Sequence, residues 1–281
     1  MLLSRSRNRT TGRTPARPAG DLIGCRLLAV DLGTARTVLF APDQGVLIDE
    51  PTVLAVDREG PVAAGDQALE AGAAGVVRLR RPVRSGQVAD PVVCVQFLTL
   101  LLQQHGLRAE GQVMMAVPAV ASGYETSVLS AVLSSATGTK VTPVPTLLAA
   151  AVGLGLAVEA PVAGLVVDIG PGVVEAGVVG RGRLLAHHGS RIGPRGFLQD
   201  SRRFLRRANS AVTRVEDGVP PALRAELAGR PVHLVGGGAL LPGLAGSLGR
   251  AIGSEVQVRD DARTVVVRGL AVGSRLSGLV R

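Results

Sequence analysis

The chain is poor in aromatic residues, cysteine and long apolar runs, and each shortage excludes a class of protein. Aromatic residues make up 2% of its 281 residues, with one tyrosine and no tryptophan, so platforms for stacking single-stranded nucleic acid are nearly absent. Cys25 and Cys94 lie far apart without metal-ligand spacing, which predicts reduced, buried thiols in a cytosolic protein. The longest apolar run, residues 147–158, has 12 residues and two glycines, too few to span a bilayer.

The net charge of +9 comes from arginine, because Lys140 is the only lysine among 31 basic residues. Five arginines and no acidic residue lie within residues 1–20, so that segment carries more than half of the excess charge. We therefore expect no specific binding to nucleic acid. The composition of residues 1–21 predicts a disordered, Arg-rich tail. The tail is a solvated leader, the product of a misassigned start codon, or a weak attachment to anionic lipid.

Two stretches of the chain repeat one alternation of strands and helices. Each opens with an apolar strand that ends in aspartate and a glycine turn, and then continues through further strands to a helix. A pattern that occurs twice predicts an α/β fold from a duplicated unit. The predicted strands cover residues 26–31, 37–41, 45–48, 52–56, 113–117, 164–168, 173–179, 183–187 and 232–235, and the predicted helices cover 92–104, about 125–136, 196–207 and 240–252. The helix at 196–207 has an arginine face that is either solvated or a contact for a polymer or an acidic lipid surface.

Three glycine-containing loops follow apolar strands and are typical of phosphate binding. They are Asp31-Leu-Gly-Thr-Ala-Arg-Thr37, Asp168-Ile-Gly-Pro-Gly-Val-Val-Glu175 and Val235-Gly-Gly-Gly-Ala-Leu-Leu-Pro-Gly-Leu244. Glycine turns let backbone N–H groups approach a phosphate, and a strand-end aspartate can hold a metal-bound water. The loops predict a nucleotide clamped between two related domains. Ordinary strand-end turns are the alternative for Asp31 and Asp168.

These residues resemble the actin-like ATPase superfamily and, within it, the bacterial MreB/Mbl cell-shape family. The resemblance runs through most of residues 26–280. Residues 29–37 are similar to the family's first phosphate loop, and residues 236–244 are similar to its adenosine-contacting loop. Other landmarks lie at residues 49–56, 80–90, 149–156 and 191–193. The chain is thereby identified as a divergent, shortened member.

The resemblance implies an α/β fold of two duplicated ribonuclease-H-like (actin-like) domains. Residues 22–162 would form domain I, with a small subdomain at about 50–78, and residues 163–264 a reduced domain II. Residues 265–281 would return to domain I. The family's small tip subdomain in domain II should be missing, because only residues 208–231 are available for it. A hydrophobic membrane-insertion loop is also not expected, because residues 104–111 are mostly polar.

The resemblance further implies a site for ATP with Mg²⁺ between the domains. Asp31 and Asp168 would hold the metal ion through water. The expected nucleotide-binding residues are Asp31, Gly33, Thr34, Ala35, Arg36, Asp168, Gly170, Gly172, Gly236, Gly237, Gly238 and Ala239.

Departures from the family pattern predict a degenerate site. Pro171 has no N–H for a phosphate, and Val173 and Val174 replace threonines, at a cost of about 1–3 kcal/mol for each lost donor. Thr146 stands where the family has a glutamate that orients the attacking water, a role worth about 10²–10⁴-fold in rate. We therefore assign no catalytic residue and expect a binding protein with impaired ATPase activity. Glu175 either keeps a family position or is a strand-surface charge.

The predicted function is that of a cytoplasmic actin-like cytoskeletal protein at the inner face of the cell membrane. It would take part in cell-shape determination and cell-wall synthesis as a filament component or a filament-associated partner. Expected partners are a full-length MreB-type homologue or a second copy, the cell-wall synthesis machinery and, weakly through the tail, the membrane. One alternative is an active phosphotransferase or sugar kinase of the same fold, which needs an acidic base that the sequence does not offer. The other is a non-polymerising actin-like adaptor.

Overall fold

The computed structural model describes residues 23–75, 77–193 and 201–273. The predicted tail at residues 1–21 lies outside these ranges, as do the start of the predicted helix at 196–207 and the last eight residues of the predicted C-terminal segment. The described strands are β1 (Ile23–Leu32), β2 (Arg36–Ala41), β3 (Val46–Pro51), β4 (Leu54–Val56), β5 (Pro61–Ala64), β6 (Arg78–Arg80), β7 (Val83–Arg84), β8 (Gln87–Val88), β9 (Leu107–Val117), β10 (Val141–Pro145), β11 (Gly164–Ile169), β12 (Val173–Gly180), β13 (Arg183–Arg191), β14 (Val232–Val235) and β15 (Val256–Val258). The described α-helices are α1 (Gly65–Ala73), α2 (Pro91–Gln104), α3 (Gly123–Thr137), α4 (Thr146–Gly153), α5 (Ser201–Gly218), α6 (Pro221–Leu227), α7 (Leu244–Ile252) and α8 (Val265–Gly273).

The main sheets of the two halves share one strand order. The first is β3-β2-β1-β9-β10 and the second is β13-β12-β11-β14-β15. In each half the first three strands along the chain pair antiparallel, and the last two continue the sheet in parallel. The repeat confirms the predicted α/β fold of two duplicated domains.

Helices cover both faces of each sheet, which is why strands such as β11 and β12 are buried along almost their whole length. One core lies between the first sheet and α2 and α3, and another lies between the second sheet and α5 and α7. A third core lies between the domains and is filled by α4 and α8. Helix α4 also packs on β11, β12 and β13, whereas α8 packs on β1, β2 and β9. The last helix of each half therefore contacts the sheet of the other half.

A small subdomain is inserted between β3 and α2 of the first half. It contains the three-stranded sheet β5-β4-β6 and α1, around a cluster formed by Val53, Ala55, Ala63 and Ala68. Residues 219–231 of the second half, all of them described, hold α6 and no strand. Domain II thus lacks a counterpart of this subdomain there, as predicted.

Several sequence-based boundaries are wrong, and three of them have a clear physical reason. Helix α5 does not end near Arg207 but reaches Gly218, because Ala211, Val212 and Val215 continue its apolar face into the second core. Strand β9 begins at Leu107 rather than at residue 113, since it pairs in parallel with the start of β1. The predicted helix at 240–252 begins at Leu244, because a 3-10 turn and Pro242 precede it.

Candidate nucleotide site between the domains

Three loops that follow central strands meet at the cleft between the domains. The predicted nucleotide-binding residues lie in or beside them: Asp31 in β1, Gly33, Thr34 and Ala35 in the β1–β2 turn, Arg36 at the start of β2, Asp168 in β11, Gly170 and Gly172 in the β11–β12 turn, and Gly236, Gly237, Gly238 and Ala239 after β14. Because β1, β9, β11 and β14 are parallel within their sheets, their carboxyl ends point to one cleft.

The loops are in direct contact with one another. A Cβ on Gly236 would overlap the Asp168 carboxylate and lie 2.7 Å from the carbonyl oxygen of Ile169. A Cβ on Gly172 would overlap the hydroxyl of Thr34. Only glycine allows these approaches, so the structure brings the three predicted loops together. That they bind a nucleotide stays a prediction.

Backbone hydrogen bonds fix the shape of the first loop. The Gly33 amide donates to the carbonyl oxygen of Arg36 at 3.0 Å, which closes the turn. Thr52, directly after β3, anchors the loop. Its hydroxyl donates to the Gly33 carbonyl oxygen at 2.8 Å, and its amide donates to the Ala35 carbonyl oxygen at 2.9 Å. Thr52 is fully buried, so this loop is anchored in the protein interior.

The half-buried carboxylates of Asp31 and Asp168 line the cleft beside the loops. Burial, followed by the charge of Asp49, raises the pKa of Asp31 to about 6. Burial, followed by the charges of Glu175 and Asp31, raises the pKa of Asp168 well above its usual range. Carboxylates whose pKa is raised by neighbouring acidic groups are stabilised in the charged form by a cation. This arrangement suits Mg²⁺ that accompanies a phosphate.

No group of three or more His, Cys, Asp or Glu side chains within the described ranges is arranged to hold a metal ion directly. That Asp31 and Asp168 would hold Mg²⁺ through water, as Mg²⁺ sites commonly do, stays a prediction.

Glu175 is the least expected residue of the site. Its side chain is fully buried on β12, opposite Asp168 in the strand register, so its interpretation as a strand-surface charge is wrong. The Ala119 amide of the other domain donates to its Oε2 at 2.7 Å. Its Oε1 is buried and has no hydrogen-bond partner among the described residues. Burial raises the pKa of Glu175 to about 8, although the Ala119 amide opposes the shift.

The side chains that replace hydroxyls in the second loop are used for packing. Val174 is fully buried in the core of domain II. Val173 packs against Gly86 of the β7–β8 turn so closely that a Cβ there would overlap it. The Gly170 amide closes the turn by donating to the Val173 carbonyl oxygen at 2.9 Å. Pro171 has no amide hydrogen to offer.

Thr146 is the first residue of α4 and is 4% exposed. The preceding Pro145 gives the helix no side-chain cap, and the first turn of α4 contains no acidic residue. Thr146 and the first turn of α4 therefore offer no general base, and that Thr146 stands at the position of the family glutamate stays a prediction.

Two arginines on the other side of the cleft share Asp49. The Arg36 guanidinium donates to the carboxylate and the carbonyl oxygen of Asp49, so its charge is paired. Arg263 Nη1 lies 3.2 Å from Asp49 Oδ2 and connects the domains beside the third loop. Sequence analysis missed Asp49 and Arg263, because they lie 214 residues apart and share no local motif.

The duplicated sheets and the three loops at their shared cleft define the chain as an actin-like protein. The family model for MreB/Mbl proteins matches residues 25–212 and 201–276, and the chain belongs to the MreB/Mbl family. The two matched parts meet within α5, directly before the shortened part of domain II.

Individual relatives are distant in sequence, but their matches cover most of both chains. The cell shape-determining protein MreB of Escherichia coli K12 is 27% identical over 316 aligned residues, covering 86% of this chain and 91% of that protein. The crystal structure of MreB5 of Spiroplasma citri bound to AMPPNP superposes with a TM-score of 0.75 at 18% identity, covering 90% of this chain and 96% of that one. The MamK double helical filament superposes with a TM-score of 0.69 at 16% identity, covering 90% of this chain and 98% of the MamK chain. These structures share the fold.

Among the residues that the structure describes, no helix is long and apolar enough to cross a membrane.

Proposed function

We propose that the chain is a cytoskeletal protein of the MreB type that takes part in cell-shape determination and cell-wall synthesis. It acts in the cytoplasm, at the inner face of the cell membrane, as a filament component or a filament-associated partner. Family membership and the cell-shape role of the E. coli relative support this assignment. The actin-like fold shared with the MamK filament supports an assembling role.

The observation that carries the proposal is the meeting of three glycine loops beside Asp31 and Asp168. Backbone amides at these turns suit the phosphates of ATP, and the two carboxylates suit a hydrated Mg²⁺. Binding of AMPPNP by MreB5, which has the same fold, supports ATP as the ligand. The site is degenerate, because Pro171 and two packed valines have removed donors from the second loop.

The chain depends on a full-length MreB-type partner for assembly. Actin-like strands grow by head-to-tail contacts, and a heterologous interface that loses area loses affinity at every repeat. Domain II lacks a tip subdomain between α5 and β14, so part of that contact is missing. Contacts with the cell-wall synthesis machinery and a weak membrane contact through the Arg-rich tail complete the expected partners.

Pelleting of purified protein, with and without full-length MreB, tests this proposal. We expect little pelleting of the chain alone and co-pelleting with the partner in ATP. A tagged copy should lose its localised assemblies in cells that lack the partner. Nucleotide-dependent pelleting of the pure chain, together with normal assemblies in those cells, would contradict the dependence. Absence from the pellet in both conditions would favour the non-polymerising adaptor.

One observation favours a second candidate, an ATP-dependent phosphotransferase. Such an enzyme needs an acid near the cleft, and Glu175 is a buried acid there with an unpartnered oxygen. ATP-dependent phosphorylation of a small hydroxyl compound by the wild-type chain, lost in Glu175→Gln, would establish this function.

A further inference from the structure

The two domains meet along one side of the cleft in what we call the front seam. It is formed by residues 34, 85–86 and 119–125 of the first domain against residues 172–175 and 189–191 of the second. Side chains and backbone of the chain itself fill this contact, and three kinds of interaction contribute to it.

The first kind is close backbone approach at glycine. At three points a Cβ on the glycine would overlap a residue of the other domain or approach it within 2.6 Å. The pairs are Gly172 with Thr34, Gly86 with Val173, and Gly189 with Val120. Glycine is the residue that permits such an approach, so the two surfaces are shaped to meet.

The second kind is an ion pair between the domains. Arg191, at the end of β13, donates to both carboxylate oxygens of Glu125 on α3, at 2.9 and 2.8 Å. Its other terminal nitrogen donates to the Ser85 carbonyl oxygen at 2.9 Å. Both charged side chains are about three-quarters buried. Both contacts to Glu125 come from one guanidinium nitrogen, and hydrogen bonds between a charged donor and a charged acceptor are stronger than neutral ones.

The third kind is the hydrogen bond from the Ala119 amide to Glu175. Glu175 and Arg191 come from neighbouring strands, β12 and β13, and contact opposite ends of the segment 119–125. The β12–β13 pair therefore holds this segment at both ends.

The opposite side of the cleft is joined far less firmly. There Arg263 contacts Asp49 through one 3.2 Å interaction, and the Arg263 side chain is 43% exposed. Exposed single pairs contribute little. The front seam has more contacts, and more deeply buried ones, than the Arg263–Asp49 pair. It is therefore the main connection between the domains beside the phosphate loops.

We propose that the front seam holds the two domains closed independently of nucleotide. In this chain, closure is set by Arg191, Glu175 and the packed Val173, not by a bound phosphate that bridges the two loops. Bound ATP then stabilises the protein without acting as its conformational switch. The inference goes beyond the proposed function and does not require ATP to bind.

Amide hydrogen exchange of the full chain without nucleotide tests the seam, since the Ala119 amide is bonded across it. We expect slow exchange at Ala119 in the wild type, unchanged by millimolar ATP. Arg191→Ala should accelerate that exchange by about tenfold or more, because it removes several charge-assisted hydrogen bonds. Arg191→Lys keeps one charged nitrogen for Glu125 but has no second nitrogen for the Ser85 carbonyl oxygen, so it should give an intermediate rate.

Arg183→Ala is the matched control, because Arg183 is an exposed arginine on the same strand away from the seam. Gly189→Ala tests the seam in a second way, because the added methyl group would clash with Val120 and push the two surfaces apart. Gly123→Ala is its control, because the added methyl group would meet open space. Exchange at β1 and β9 amides verifies that each variant is folded.

Two results would overturn the proposal. One is fast exchange at Ala119 in the nucleotide-free wild type that becomes slow when ATP is added. The other is wild-type exchange at Ala119 in folded Arg191→Ala and Gly189→Ala variants. If ATP does not bind, the proposed nucleotide site is contradicted, whereas the front-seam proposal is still decided by the exchange rates of the variants.

Discussion

Gly269 of α8 crosses Gly153 of α4 so closely that a Cβ on Gly269 would lie 2.7 Å from the Gly153 amide nitrogen and would overlap the Ala149 carbonyl oxygen. A Cβ on Gly153 would in turn overlap the Val265 carbonyl oxygen. Two small residues at one crossing bring the helix backbones into contact between the two sheets. The interdomain core is therefore assembled around a glycine pair.

A larger residue at this glycine pair should destabilise the fold. We expect Gly269→Ala to lower the free energy of unfolding by about 1–3 kcal/mol, as overpacking does, because the clash is with backbone that cannot rotate away. Urea denaturation measures the change. Gly218→Ala at the end of α5, where an added Cβ would meet open space, is the matched control and should have little effect. Equal midpoints for both variants would contradict the close crossing.

Binding of Mg²⁺–ATP should depend on Asp31 and on pH. Wild-type protein should be stabilised by about 1.4 kcal/mol at ATP ten times above Kd, and Asp31→Ala should lose the shift. Since the pKa of Asp31 is raised to about 6, the ATP-dependent thermal shift should be larger at pH 8 than at pH 5.5, where the carboxyl is protonated. Asp217→Ala, an exposed aspartate on α5, should keep the wild-type shift. The nucleotide site is refuted by a wild-type chain that shows no shift at millimolar ATP.

Turnover of ATP should be about 100-fold or more below that of a family member that has the glutamate, because Thr146 cannot act as a base. Phosphate release by the pure chain measures the rate. Asp168→Ala should leave this background unchanged. Several turnovers per minute that disappear in Asp168→Ala would show that another acid performs the reaction.

Glu175 should make folding less favourable as the pH rises. Its pKa is about 8 in the folded chain and its ordinary value is 4.5, so the folded state holds a proton that the unfolded state has lost between these values. The stability that the neutral carboxyl provides is complete below about pH 4.5 and declines up to about pH 8. Glu175→Gln should therefore gain stability relative to wild type between pH 5 and pH 8, by more than about 1.4 kcal/mol. Urea denaturation across this range measures the difference, and a constant difference would contradict the buried, neutral Glu175.

Arg191 should contribute more than Arg263 to the free energy of unfolding. Arg263→Ala removes one exposed contact and should cost at most about 1 kcal/mol, less in high salt. Arg191→Ala removes hydrogen bonds to a carboxylate and a carbonyl oxygen and should cost about 1.5–3 kcal/mol. Urea denaturation at low and high salt separates them. A larger loss in Arg263→Ala would reverse the assignment of the stronger connection.

Local pattern in the sequence predicted much of the fold and the loops. The apolar strands that lead into Asp31 and Asp168 were recognisable because strand periodicity and glycine turns are encoded by neighbouring residues. The repeated order of these segments predicted the duplication, and the spacing between α5 and β14 predicted the missing subdomain. The end of α5 was misplaced, because small residues such as Ala208 and Ala211 carry a weak apolar signal until a core covers them.

The contacts that these segments make across the cleft depend on the tertiary structure. Glu175 has the same sequence neighbours whether it is buried or exposed, and its burial follows from the Ala119 segment that the other domain places over it. Arg191 and Glu125 lie 66 residues apart, and nothing local to either one selects the other. The glycine pair in α4 and α8 acquires its role only when the helices cross. The sequence thus determined the elements and their turns through short-range physics, whereas the closed seam and the unusual charge states depend on long-range packing that excludes water.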